Sequence, residues 1–195
     1  ISAILSDGEY DCDFNVKANP YNSIQSGNTE QTTTLDTILN YIEITQNKEA
    51  YFDRPCSLIK IDVEAYESEV LRGAIQTIKR HWPVLYVEIN TSCLHKREIS
   101  PNEIFAYLDD LDYEIYIVDT PTPTEPMLRK IDIHNPFPFT VENIFAFHKT
   151  YDKSRLRLPI GSDWDTDTNN ELLKYKKDNV SSHSPFYNYF QDCKI

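Results

Sequence analysis

The sequence predicts an α/β fold, a three-layer sandwich with helices on both faces of a sheet, and three consecutive stretches predict it. The first is Leu58–Val63, where the apolar, mostly β-branched residues Leu58, Ile59, Ile61 and Val63 suit a buried strand. Lys60, Asp62 and Glu64 alternate with them, and a side-chain period of two puts those three on one face. The second is Glu64–Arg80, where the period changes: Leu71, Ala74, Ile75 and Ile78 fall at helical spacing. Acids at Glu64, Glu67 and Glu69 and bases at Lys79, Arg80 and His81 match the two ends of a helix dipole, and Pro83 ends the element. The third is Val84–Glu88, a strand that again stops at a carboxylate and is followed by Asn90. Strand, helix, strand in so short a span is a βαβ unit with parallel strands and a right-handed crossover. A lysine in a strand covered on both faces needs a partner, so Lys60 is expected to pair with Asp62 or Glu88.

The remaining elements follow in order. Ile1–Leu5 is strand-like, and Ser6-Asp7-Gly8-Glu9 is a turn. Tyr10–Val16 alternates weakly and reads as a short extra strand, and Asn19–Thr33 is polar enough to read as a loop. A helix starts at Thr33 or Thr34 and buries Leu35, Ile38, Leu39 and Ile42. Asn47–Pro55 is a polar connection. Thr91–Ile99 reads as a charged loop over the strand ends, with Cys93, His95, Lys96 and Arg97. Ser100-Pro101-Asn102-Glu103 has the cap, the first-turn proline and the reciprocal glutamate of a helix start. Tyr113–Val118 and Val141–His148 read as strands that extend the sheet, with the proline-rich Thr120–Pro126 as a loop between them. His148 is expected at the surface end of its strand. Residues 151–195 form a polar extension of a domain spanning 1–150, with one short helix near Asn170–Lys177.

Bulk properties narrow the function. A chain of 195 residues, 40% apolar and 26% charged, is globular and long enough for one core. A net charge of −12 without a basic stripe argues against nucleic acid and anionic membranes as partners. No apolar run reaches the ~18 residues of a membrane span. Cys12, Cys56, Cys93 and Cys193 are far apart and form no C-x-x-C pair, so free thiols in a reducing, cytoplasmic setting are expected. No G-x-G-x-x-G or phosphate-binding loop occurs.

Ligands of open α/β sheets sit beyond the carboxyl ends of strands, where Asp62, Glu64, Glu88 and Asn90 fall. The stretches Ile59–Glu67, Val70-Leu71-Arg72-Gly73-Ala74 and Pro83–Ile89 resemble the core of the FkbM family of S-adenosylmethionine-dependent methyltransferases. That family shows K-I-D-V-E-G-x-E, V-L-x-G-A and P-x-x-x-x-E at these places. Upstream, Thr34–Leu39 resembles its T-L-D-x-L-L helix start and Ala3–Asp7 its A-x-L-S-D strand end. Ala65 stands where the family has glycine. The resemblance covers residues 1–150 and the second half of a family domain, without the glycine-rich cofactor loop and the acidic strand end that precede it.

The resemblance implies a Rossmann-like class I methyltransferase fold, truncated at the N-terminus. Its sheet order is 3-2-1-4-5-7-6, with Leu58–Val63 as strand 4, the strand ending at Leu5 as strand 3, and the last strand inserted antiparallel. It implies S-adenosylmethionine as cofactor, held by Ser6, Asp7 and Asp62, with Ser6 or Asp7 near the adenine. It further implies O-methylation of a sugar or small metabolite. Asp62, Glu64 and Glu88 are the expected catalytic acids, and Lys60, Asn90 and His95 the expected substrate contacts; no metal is assigned. A carboxylate hydrolase and a non-catalytic remnant are the alternatives. With no strand 1 beside Leu58–Val63, that flank is expected to be an exposed apolar edge. Ile1–Leu5 is expected to float off the sheet or to slide in beside it. Weak cofactor binding and aggregation of the isolated chain are expected as well.

Overall fold

A computed structural model describes residues 4–9, 11–13, 29–46, 55–119, 126–135, 137–164, 166–184 and 187–192. The fold is mixed α/β, and the chain divides into two compact units, Ile1–Val84 and Leu85–Ile195.

The first unit begins with a small sheet of β1 (Ile4–Leu5), β2 (Asp11–Asp13) and β3 (Thr29–Thr33) in the order β1-β3-β2. β3 is parallel to β1 and antiparallel to β2. Of the two fates expected for Ile1–Leu5, its described part does not slide in beside Leu58–Val63; it pairs with Thr32 and Thr33. The segment expected to be all loop thus ends in a strand, because its run of threonines suits a pleated backbone. Thr34 then caps α1 (Leu35–Gln46) through a Thr37 N–H to Thr34 Oγ1 bond of 2.9 Å.

β4 (Leu58–Ile61) is shorter than expected, and Leu58 is 57% exposed. Among the described residues of this unit, no other strand pairs with it. The backbone N–H of Val84 donates to the Ser57 carbonyl at 3.0 Å. The single helix expected over Glu64–Arg80 is two helices, α2 (Glu67–Gly73) and α3 (Ile75–His81), broken at Ala74. The cause lies elsewhere in the chain. The buried Asp36 carboxylate of α1 accepts from the Gln76 N–H at 2.8 Å, the Thr77 N–H at 2.9 Å and the Thr77 hydroxyl at 2.6 Å. It therefore caps a second helix N-terminus, and α1 packs on both α2 and α3. Trp82, left-handed at φ 46°, closes α3 ahead of Pro83. Gly73 carries the close approach of α2 to β1: a Cβ there would lie 1.9 Å from the Ser6 carbonyl oxygen.

In the second unit β5 (Val84–Asn90, from Leu85 on), β8 (Val141–His148), β6 (Tyr113–Asp119) and β7 (Met127–Lys130) lie side by side in that order. β8 is antiparallel to both β5 and β6, as the resemblance implies for the last strand. β7 follows the proline-rich segment and pairs antiparallel with β6, a strand the sequence did not announce. The expected loop at Thr91–Ile99 is largely a helix, α4 (Thr91–Lys96). Ser100 and Glu103 form the expected capping box of α5 (Pro101–Asp110). Leu85, Val87, Ile89, Ile104, Leu108, Ile115, Ile117, Ile144 and Ala146 are buried. His148 is also buried, against expectation: its ring meets Tyr113 edge-on, and Nδ1 lies 2.8 Å from the Thr150 hydroxyl.

The described residues beyond 150 pack within this unit. Ile160 bridges Leu128, and α6 (Thr166–Asn179) packs on α7 (Tyr187–Asp192). The Tyr189 hydroxyl donates to the Phe137 carbonyl at 2.6 Å. Glu114 of β6 bridges Lys130 (2.8 Å) and Lys153. Partial burial pushes the Glu114 carboxyl up, but bonds to and charges of the two lysines outweigh it and hold it down to about 2.

Two predictions follow from this packing. Gly73→Ala should cost at least ~2 kcal/mol in urea unfolding, because backbone atoms of Ser6 must move to admit the methyl group. A folded-state value near 2 against 4.5 for the free side chain means that Glu114 stabilises the fold above pH 4.5 and loses that contribution toward pH 2. Glu114→Gln should therefore differ most from wild type near neutrality, with the gap in unfolding midpoint closing as pH falls from 4.5 to 2.

Candidate functional site

The chain reverses between β4 and α2 in the five residues Asp62–Tyr66. Two of them are left-handed, Glu64 at φ 52° and Ala65 at φ 77°. An L-residue there meets its own Cβ crowding the backbone, at a cost of roughly 1–2 kcal/mol, which is why glycine suits the position of Ala65. Ala65 is 1% exposed, so its methyl group is packed even though its backbone is strained.

Asp62 and Glu64 stand on this turn. Asp62 pairs with Lys60 at 2.7 Å, as expected, but not in a buried setting. The two side chains are 39% and 55% exposed, so the pair orients the carboxylate at the surface and adds little stability. Glu64 is half-buried. At the end of β1, Ser6 is 2% exposed and its backbone N–H donates to the Thr33 carbonyl at 2.8 Å. The neighbouring Asp7 faces outward and meets Arg72 of α2 at 3.2 Å. The motif residues of β1 and α2 are therefore linked twice, by the Ser6–Gly73 contact and by this ion pair.

Glu88, Asn90 and His95 belong to the second unit. Glu88 points away from the buried row Leu85, Val87, Ile89 and lies opposite Asn143 of β8. It is half-buried. Asn90 ends β5 and caps α4, its side-chain oxygen accepting from the Cys93 N–H at 3.2 Å. His95 on α4 turns toward α7: its Nε2 lies 3.9 Å from Asp192, and its ring meets Tyr189 edge-on. Cys56 and Cys93 are thiols, and burial pushes the Cys56 thiol up against the pull of its bond to the Leu58 carbonyl.

One acid was undervalued in the sequence. Glu67 looks like an ordinary helix-start acid, yet it is 1% exposed, and its Oε1 accepts from the Ala65 N–H at 3.1 Å. Burial pushes its carboxyl up, and the like charge of Glu64 adds to this, while backbone N–H groups at Glu67, Ala65 and Val63 pull the other way. The signals available were its place as the last glutamate of the K-I-D-V-E-G-x-E-like stretch and its spacing, two residues after a small residue in a strand-to-helix turn.

Residues 13–115, more than half of the chain, match the model of the methyltransferase FkbM domain. The chain belongs to the FkbM methyltransferase family. No curated protein and no solved structure gives a match to it. The matched span contains the Asp62–Tyr66 turn, Gly73, Glu88 and Asn90 of this FkbM domain.

Relief of the strain at Ala65 is testable. Ala65→Gly removes a left-handed Cβ at the loss of one buried methyl group, ~0.8 kcal/mol, so its stability should equal or exceed wild type. Ala65→Val should lose ~2 kcal/mol or more, since a β-branched side chain fits this backbone worst. Thermal unfolding of both variants checks the pair, and a less stable glycine variant would refute the account of the turn.

Proposed function

We propose that the protein is an S-adenosylmethionine-dependent methyltransferase with the Rossmann-like class I fold, acting on the hydroxyl group of a sugar or small metabolite. The observation that carries this reading is the exposed, Lys60-oriented carboxylate of Asp62 at the end of β4, inside the span that matches the FkbM domain.

The residues fit the cofactor in kind. Carboxylates at Asp7 and Asp62, 35% and 39% exposed, are acceptors of the type that an adenine amine and ribose hydroxyls require. Ser6, at 2% exposure, supports Asp7 from below rather than reaching a ligand with its hydroxyl. When bound, S-adenosylmethionine supplies an electrophilic methyl group. An alcohol is a weak nucleophile, so alignment and a nearby proton acceptor carry the acceleration. Asp62 orients the acceptor hydroxyl and takes its proton as the new bond to oxygen forms. Glu64 accepts a hydrogen bond from a neighbouring hydroxyl of the same acceptor, and Lys60 keeps Asp62 from turning away.

Asp62→Asn keeps the shape and removes the proton acceptor. In the full protein it should lower methyl transfer, read as S-adenosylhomocysteine formed with a panel of monosaccharides and polyols, by ~10²-fold, with folding stability little changed. Undiminished turnover would remove Asp62 from the mechanism.

A further inference from the structure

Glu67 has no role in the mechanism above, yet its environment is unlike that of Asp62 and Glu64 on the turn itself. As the first residue of α2 it would gain from the helix dipole in full solvent, by at most ~1 kcal/mol. Taking a carboxyl out of water costs more than that unless its bonds are replaced. Glu67 is nevertheless 1% exposed, with Oε1 on the Ala65 N–H at 3.1 Å and Oε2 buried without a hydrogen bond among the described residues. The 3.1 Å bond falls on Ala65, one of the two left-handed residues, whose own side chain is 1% exposed.

We infer that Glu67 is a positioning residue: its buried carboxyl holds the left-handed Glu64–Ala65 turn and thereby sets the direction in which Glu64 meets the acceptor. The geometry is direct. The N–H of Ala65 belongs to the peptide unit that begins at the Glu64 carbonyl. Fixing that N–H fixes the ψ angle of Glu64, and with it the backbone from which the Glu64 side chain departs. A turn without this anchor relaxes toward ordinary right-handed backbone, because two non-glycine residues at positive φ are costly. One bond from a side chain already committed to a helix offsets that tendency with little loss of entropy. The inference rests on the methyltransferase reading, and it separates acceptor placement from cofactor binding, since Asp7 and Asp62 lie outside the peptide unit that Glu67 holds.

The test compares Glu67→Gln with Glu67→Leu in the full protein. Glutamine keeps a neutral oxygen acceptor of the same reach; leucine fills the space and removes the acceptor. Glu67→Leu should lower kcat/KM for the acceptor by ~10- to 100-fold while S-adenosylhomocysteine affinity stays within ~3-fold, and Glu67→Gln should stay within ~3-fold of wild type on both. The Ala65 amide should exchange with solvent at least ~10-fold faster in Glu67→Leu than in wild type or Glu67→Gln. An active wild type whose Glu67→Leu variant transfers methyl groups equally well overturns this inference alone. A wild type that forms no S-adenosylhomocysteine overturns the methyltransferase reading, and the inference with it.

Discussion

A strand that ends at Ile61 and a helix that begins at Glu67 leave the backbone five residues in which to turn back. That constraint shapes the candidate site. The chain makes the connection with two consecutive left-handed residues, Glu64 and Ala65. The strain is local, but the means of holding it are not. The turn sits between a strand whose Ile61 is buried and a helix whose Val70 and Leu71 are buried, so neither end can relax without exposing apolar surface. Glu67 adds a side-chain bond to the Ala65 N–H. The carboxylates that read as chemistry therefore stand on backbone that is strained and anchored at once, a combination that clusters at functional sites.

The same unit shows why its sequence motifs have the residues they have. The aspartate of Thr34-Leu35-Asp36 looks like a first-turn acid of its own helix, and its carboxylate serves the start of α3 instead. Three donors at 2.6 to 2.9 Å account for its burial, since a buried carboxylate without partners would be costly. The glycine of Val70–Ala74 is small because a carbonyl oxygen occupies the place of its missing side chain. Both residues act between elements, so the positions carry information that no local propensity contains.

Those cases also mark what could be read from the sequence. β4, β5, β6, β8 and the capped helix α5 were legible because their signals are local: alternation, β-branching and a capping box. The Lys60–Asp62 pair was legible because residues two apart in a strand share a face. Its exposure was not, since that depends on what covers the strand. The break at Ala74 follows a glycine, Gly73, but the cap of the second helix start comes from a residue some forty positions earlier. Met127–Lys130 has no clear alternation and becomes a strand through the edge that β6 offers it. Asn90 hid a helix start inside a charged stretch that reads as loop. Glu67 resembles its neighbours Glu64 and Glu69 in type and place; burial sets it apart from Glu64, and its bond to the Ala65 N–H from Glu69.

The placement of β8 has a consequence for how the second unit is made. β8 lies between β5 and β6 although it is the last of these strands in the chain. During synthesis β5 and the β6–β7 hairpin emerge first, and their facing edges have nothing to bind until residues 141–148 arrive. The sheet closes by insertion, pairing Val87 with Ile144 and Ile117 with the same Ile144 from the opposite side. Such non-local closure is slow, and the waiting edges are open to other chains. A ribosome stalled short of Val141 thus holds a nascent chain with two unsatisfied strand edges.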